Sequence, residues 1–81
     1  MEGKIVGINY RRGLIAIRTE QADVTVAELL GGYTVELKDE IQGNLYSLGG
    51  ETFYNSTKLE EMDVFVEGVH CSFEDAKLMI S

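Results

Sequence analysis

A chain of 81 residues and 9.0 kDa holds one domain with a thin core, because only about 60–65% of the unfolded surface is buried at this size. Hydrophobic content of 44% with 26% charged residues excludes a disordered tail or a fibrous repeat, and 7 basic against 14 acidic side chains (net charge -7) argue against a nonspecific polyanion binder. The single cysteine excludes a disulfide framework and a cysteine-built zinc cage.

No apolar run approaches the ~18 residues of a membrane span, and the opening MEGKIVGINYRRG lacks the basic-then-apolar order of a signal peptide. The expectation is a single cytoplasmic domain over residues 1–81. Charge is uneven along it: residues 1–40 hold five basic and seven acidic side chains, residues 41–81 two and seven.

In chain order, Lys4–Tyr10 reads as a strand with Val6, Ile8 and Tyr10 on one face and Ile5 on the other. Arg11-Arg12-Gly13 reads as a tight turn in which Gly13 supplies a positive φ, and Leu14–Thr19 returns as a β-branched apolar strand. After a polar turn at residues 20–23 comes a short third strand, Val24-Thr25-Val26. Ala27–Leu30 reads as one helical turn ended by Gly31-Gly32. Thr34–Leu37 and Glu40–Leu48 read as extended, the latter alternating Ile41, Gly43 and Leu45 against polar neighbours. Asp63–Val69 is the strongest late strand. Phe73–Ile80 suits a closing helix with Ser72 as N-cap and Glu74 and Asp75 in its first turn. This order predicts an all-β fold: a small five-stranded barrel of the OB type with a short C-terminal helix.

The first half resembles a known family. Glu2-Gly3-Lys4-Ile5-Val6-Gly7-Ile8-Asn9-Tyr10-Arg11-Arg12-Gly13-Leu14-Ile15-Ala16-Ile17 is similar, without a gap, to the opening of the cold-shock domain, E-G-K-V-K-W-F-N-x-x-K-G-F-G-F-I. Asp23–Glu28 is similar to that family's third strand, D-V-F-V-H-F, and Leu37–Gly43 more loosely to its entry into strand four. The resemblance covers residues 1–45 and implies a bacterial OB-fold barrel that binds single-stranded RNA or DNA. It also implies where the base-stacking rings belong. Those positions hold Gly7, Leu14, Ala16, Thr25, Ala27 and Glu28, none of them aromatic. Three lost stacking contacts at ~2 kcal/mol each remove about four decades of affinity.

Two sets of contact residues remain. The segment 46–58 is long for a hairpin loop and carries Tyr46, Phe53 and Tyr54, which makes these three the candidates for contact with a protein partner. The competing readings make the segment a plug for the barrel or an extension of its strands. Since Phe53 and Tyr54 are adjacent, an extended chain would turn one ring inward and the other to solvent. Lys4, Tyr10, Arg11, Arg12 and Arg18 form the alternative, a weak nucleic-acid patch, set against a solvated hairpin whose arginines pair with Glu2, Glu20 or Asp23.

His70-Cys71 is the one adjacent base and nucleophile, and neighbours on a strand point to opposite faces. No metal-loop spacing accompanies Glu51, Glu60, Glu61, Asp63 and Glu67. Asn55-Ser56-Thr57 has the form of a glycosylation sequon, without meaning in a cytoplasmic protein. The expectation is a non-catalytic module without cofactor or metal that binds an unidentified protein, with no membrane role.

Overall fold

The computed structural model describes all residues, Met1–Ser81. Six strands, β1 (Glu2–Asn9), β2 (Leu14–Thr19), β3 (Val24–Leu29), β4 (Glu40–Gln42), β5 (Gly49–Asn55) and β6 (Glu60–Cys71), precede one helix, α1 (Phe73–Ile80). The strands close into an antiparallel barrel in the order β1-β2-β3-β6-β5-β4, with β4 returning to β1. The expected all-β barrel and closing helix are present, with one strand more than expected. No helix is long and apolar enough to cross a membrane.

Two apolar clusters hold the fold. One fills the barrel, built around Ile5, Ile15, Ile17, Phe53, Met62 and Val64. The other lies between the barrel wall and the helix: Leu14, Ala16, Val24 and Val26 from β2 and β3 against Ala76 and Ile80 of α1. Both faces of β2 and β3 are thus buried, which is why their sequences run apolar rather than alternating.

Strand β1 departs from strict alternation. Its pairing with β2 slips between Ile5 and Gly7, so Val6 is an inserted residue. Ile5 and Ile8 therefore both face the barrel, while Val6 turns outward to the helix-side cluster. The shared face expected for Val6, Ile8 and Tyr10 does not form, and Tyr10 lies in the turn, 71% exposed.

Three further expectations are corrected. Ala27–Leu29 continues β3 instead of starting a helical turn, because Ala27 pairs with Ile15 on one side and Val66 on the other and is fully buried. Thr34–Leu37 pairs with no strand. It forms the crossing from β3 to β4, and its Val35 is buried against the barrel core. Extended pairing after Glu40 stops at Gln42, yet Ile41 and Leu45 both point inward as their spacing predicts. The segment 46–58 is mostly strand, with β5 paired to β6 from Gly49↔Val66 to Asn55↔Glu60.

The helix begins as expected. Ser72 Oγ accepts the Asp75 N–H at 3.0 Å, and Glu74 and Asp75 occupy the first turn. At its other end Asn9 Nδ2 donates to the Ile80 carbonyl at 2.7 Å, and the Arg12 guanidinium donates to Ser81 O at 2.5 Å and Met79 O at 3.4 Å. A cation among the last free carbonyls suits the negative end of the helix dipole.

Candidate functional site

The basic residues of the first hairpin are not one patch. Lys4 and Arg18 pair across β1 and β2 and line a shallow cleft of ≈ 350 Å³ that also carries Glu2, Glu20 and Glu40. Arg11 and Arg12 lie at the hairpin tip, about 20 Å away along the strands. Arg12 is occupied by α1, and the Tyr10 hydroxyl donates to Val35 O at 3.1 Å. None of these arginines forms the expected pair with Glu2, Glu20 or Asp23; the ion pairs present belong to Lys58 and His70.

The six positions that the resemblance assigns to stacking rings fall in three settings: under α1, inside the barrel and on its outer wall. Leu14 and Ala16 lie beneath α1, and a Cβ at Gly7 would sit 2.9 Å from Ile80 Cδ1. A tryptophan there has no room while the helix is docked. Thr25 and Ala27 are fully buried, with the Thr25 hydroxyl donating to Leu45 O at 2.7 Å. Glu28 is half-buried on the outer side of β3.

Of the three protein-contact candidates, Phe53 is wholly buried among the barrel residues and is withdrawn as a contact. Tyr54, next to it, faces outward and is half-buried, as strand alternation requires. Tyr46 belongs to a polar clasp absent from the sequence reading. Its hydroxyl donates to both Asp23 oxygens at 2.8 Å, and its ring lies 4.1 Å, centroid to centroid, from that of His70. His70 Nδ1 is 2.7 Å from Asp23 Oδ2, and the Thr19 hydroxyl donates to Asp23 Oδ1. The clasp ties the β2–β3 turn to the loop before β5 and the end of β6. With φ of +56°, His70 turns the strand end so that its ring reaches Asp23. Cys71 is half-buried; burial, then Asp75 and Asp23, push its thiol above the usual range, away from the reactive thiolate.

The clasp makes a pH prediction. Burial alone would raise the Asp23 pKa. Hydrogen bonds from Thr19, Tyr46 and His70, with the His70 charge, outweigh it and bring the value down from 3.8 to about 2. A carboxyl depressed on folding contributes stability that is complete above its unfolded pKa and lost as pH falls toward the folded one. The melting temperature should therefore drop between pH 3.8 and about 2, and Asp23→Asn should flatten that part of the profile. An unchanged acid limb in Asp23→Asn would place the linkage elsewhere.

The open surface lies on the opposite wall. Outward positions of β6 are Glu61, Asp63, Phe65 and Glu67, and across from them on β5 stand Tyr54, Thr52 and Gly50. Phe65, paired with Gly50 on one side and Glu28 on the other, is 47% exposed. The strands β3, β5 and β6 carry Glu28, Glu51, Glu60, Glu61, Asp63 and Glu67 and contain no lysine or arginine. The cations sit elsewhere: four on the first hairpin, Lys38 and Lys58 in loops, Lys77 on the helix. Beside Phe65 is a shallow depression of ≈ 680 Å³ lined by Leu30, Gly50, Glu51, Thr52, Asp63 and Val64. Sequence reasoning missed this face because it weighed Asp63 and Glu67 only as metal ligands; the signal was Phe65 between them at period two.

A scan of protein-family models and searches of curated proteins and of solved structures return no match to this chain.

Proposed function

We propose that this chain is a non-catalytic, cold-shock-like OB barrel of the bacterial cytoplasm that binds another protein through the outer face of β5 and β6. The observation that favours this reading is the division of the barrel's outer wall. Helix α1 covers the β1–β2–β3 side, where the resemblance puts nucleic acid, while the other side keeps Phe65 and Tyr54 accessible. Aromatic side chains are enriched in protein interfaces, and Phe65 sits near the middle of this face. The scattering of Lys4, Arg11, Arg12 and Arg18, with Arg12 engaged by the helix, weighs against the nucleic-acid alternative.

Affinity capture from an extract of the source cells tests the reading, with and without nuclease, using the wild type and a Phe65→Ala/Tyr54→Ala variant. The expected result is a protein retained after nuclease treatment and lost with the variant, whose melting temperature stays close to wild type. Capture that the variant leaves intact rules out this face. Nuclease-sensitive capture, or sub-micromolar binding of a pyrimidine-rich oligonucleotide at about 150 mM salt, replaces the reading with nucleic-acid binding.

A further inference from the structure

We infer that two copies of this chain exchange their C-terminal helices, each α1 docking on the β1–β2–β3 wall of the other copy about a hinge at residues 70–72. This surface is separate from the β5–β6 face, and the exchange does not depend on that face binding anything. The wall already shows what fits it: Leu14, Ala16, Val24 and Val26 receive Ala76 and Ile80 of α1. At the far end of the helix Asn9 donates to the Ile80 carbonyl and Arg12 to that of Ser81, both from the first hairpin. None of these contacts depends on which chain supplies the helix. A second copy's α1 therefore meets the same complementary surface.

The tether to the helix is short and bent. Cys71 is still paired with Val24 of β3, and α1 begins at Phe73, so Ser72 alone separates strand from helix. Two residues before Ser72, His70 takes φ of +56°, a left-handed conformation that a residue with a Cβ rarely adopts. With His70 in the ordinary extended region, β6 would run straight on and carry α1 away from its own wall. Short hinges under backbone strain favour exchange, because the strain is relieved while the docking contacts are regained in the partner. The clasp opposes this. Asp23 and the Tyr46 ring hold the His70 side chain in the bent form, so cutting the clasp should shift the balance toward exchange. An exchanged dimer carries two outward β5–β6 faces and would bind a partner with two matching sites by avidity.

The test is size-exclusion chromatography with light scattering on the full chain, refolded from urea in dilute and in concentrated solution. A dimer should form in the concentrated sample, and Asp23→Ala, which cuts the clasp, should raise its fraction. His70→Ala and His70→Gly both lose the clasp, but only the alanine variant keeps the cost of a left-handed hinge. With two hinges relaxing per dimer, His70→Ala should associate about tenfold or more tightly than His70→Gly. A dimer refolded from isotope-labelled and unlabelled chains, of the wild type or of Asp23→Ala, should show NOE contacts between Ile80 of one chain and Leu14 or Ala16 of the other. Phe65→Ala/Tyr54→Ala should leave the dimer unchanged. Circular dichroism of each variant establishes that it is folded.

A wild type, Asp23→Ala and His70→Ala that all stay monomeric after concentrated refolding would overturn the proposal. A dimer without the interchain Ile80 contacts is joined elsewhere and would overturn it too. Equal association of His70→Ala and His70→Gly would remove the hinge strain on which the exchange rests. A dimer abolished by Phe65→Ala/Tyr54→Ala would move self-association to the β5–β6 face, and helix exchange would fall.

Discussion

Phe53→Ala is expected to leave no stably folded protein, whereas Tyr54→Ala should leave thermal denaturation nearly unchanged. Phe53 is fully buried, pairs across to Met62, and lies so close to Gly43 that a Cβ there would be 2.7 Å from its Cδ1. Truncating a buried phenylalanine costs ~3–5 kcal/mol through lost transfer energy and the cavity left behind. Domains have only about 5–15 kcal/mol of stability in total, and one this small sits near the lower end. Tyr54 is on the outer side of the same strand, so its loss should cost under ~1 kcal/mol, a few degrees in melting temperature. Circular dichroism melts of the two variants check this. A folded Phe53→Ala protein with a near-native melting temperature would contradict the inward placement of that ring and the register of β5 on β6.

Asp39→Ala should be comparably damaging, for an electrostatic reason. Asp39 is 3% exposed, and its Oδ2 accepts the Asn55 side-chain amide at 2.9 Å and the Glu36 N–H at 3.0 Å. Its Oδ1 accepts Lys58 Nζ at 3.2 Å, while Asn55 Oδ1 takes the Lys58 N–H at 3.0 Å. Removing the carboxylate strands the buried Asn55 amide and releases the crossing segment that carries Val35, an expected loss of ~3–5 kcal/mol. Asp39→Asn keeps an acceptor oxygen and should cost less, which separates hydrogen bonding from charge. Burial pushes the Asp39 pKa up, but Asn55, the Glu36 N–H and Lys58 more than offset it and hold the value below 3.8. The network therefore weakens on acidification, adding to the acid limb ascribed to Asp23. Urea denaturation near neutral pH and again near pH 3 measures both effects. An Asp39→Ala protein as stable as wild type at neutral pH would mean that the network contributes nothing net.

Local chemistry was legible from the chain alone. Gly13 takes φ of +67° at the hairpin turn, Ser72 caps α1, and the expected strand Asp63–Val69 lies within β6, its alternation sending Val64 and Val66 inward and Asp63, Phe65 and Glu67 outward. These features depend on residues a few positions apart, whose conformational preferences act within one turn or strand. What depended on distant partners was not legible. The bulge at Val6 lies where β1 passes α1, with Val6 packed on the helix-side cluster and Ile80 crowding Gly7. Ala27 became strand because Ile15 and Val66 flank it, despite a sequence that suits a helical turn. Asn55 read as part of a long segment with the form of a sequon and is buried against Asp39, 16 positions away; Asp23 read as part of a polar turn and meets Tyr46 and His70, 23 and 47 positions away. The acidic residues and Phe65 were visible as letters, but a face exists only once β3, β6 and β5 lie side by side, and barrel closure alone decides that. Closure also leaves one outer wall for α1 and the other for solvent, because the eight residues of the helix cover only the side they pack against.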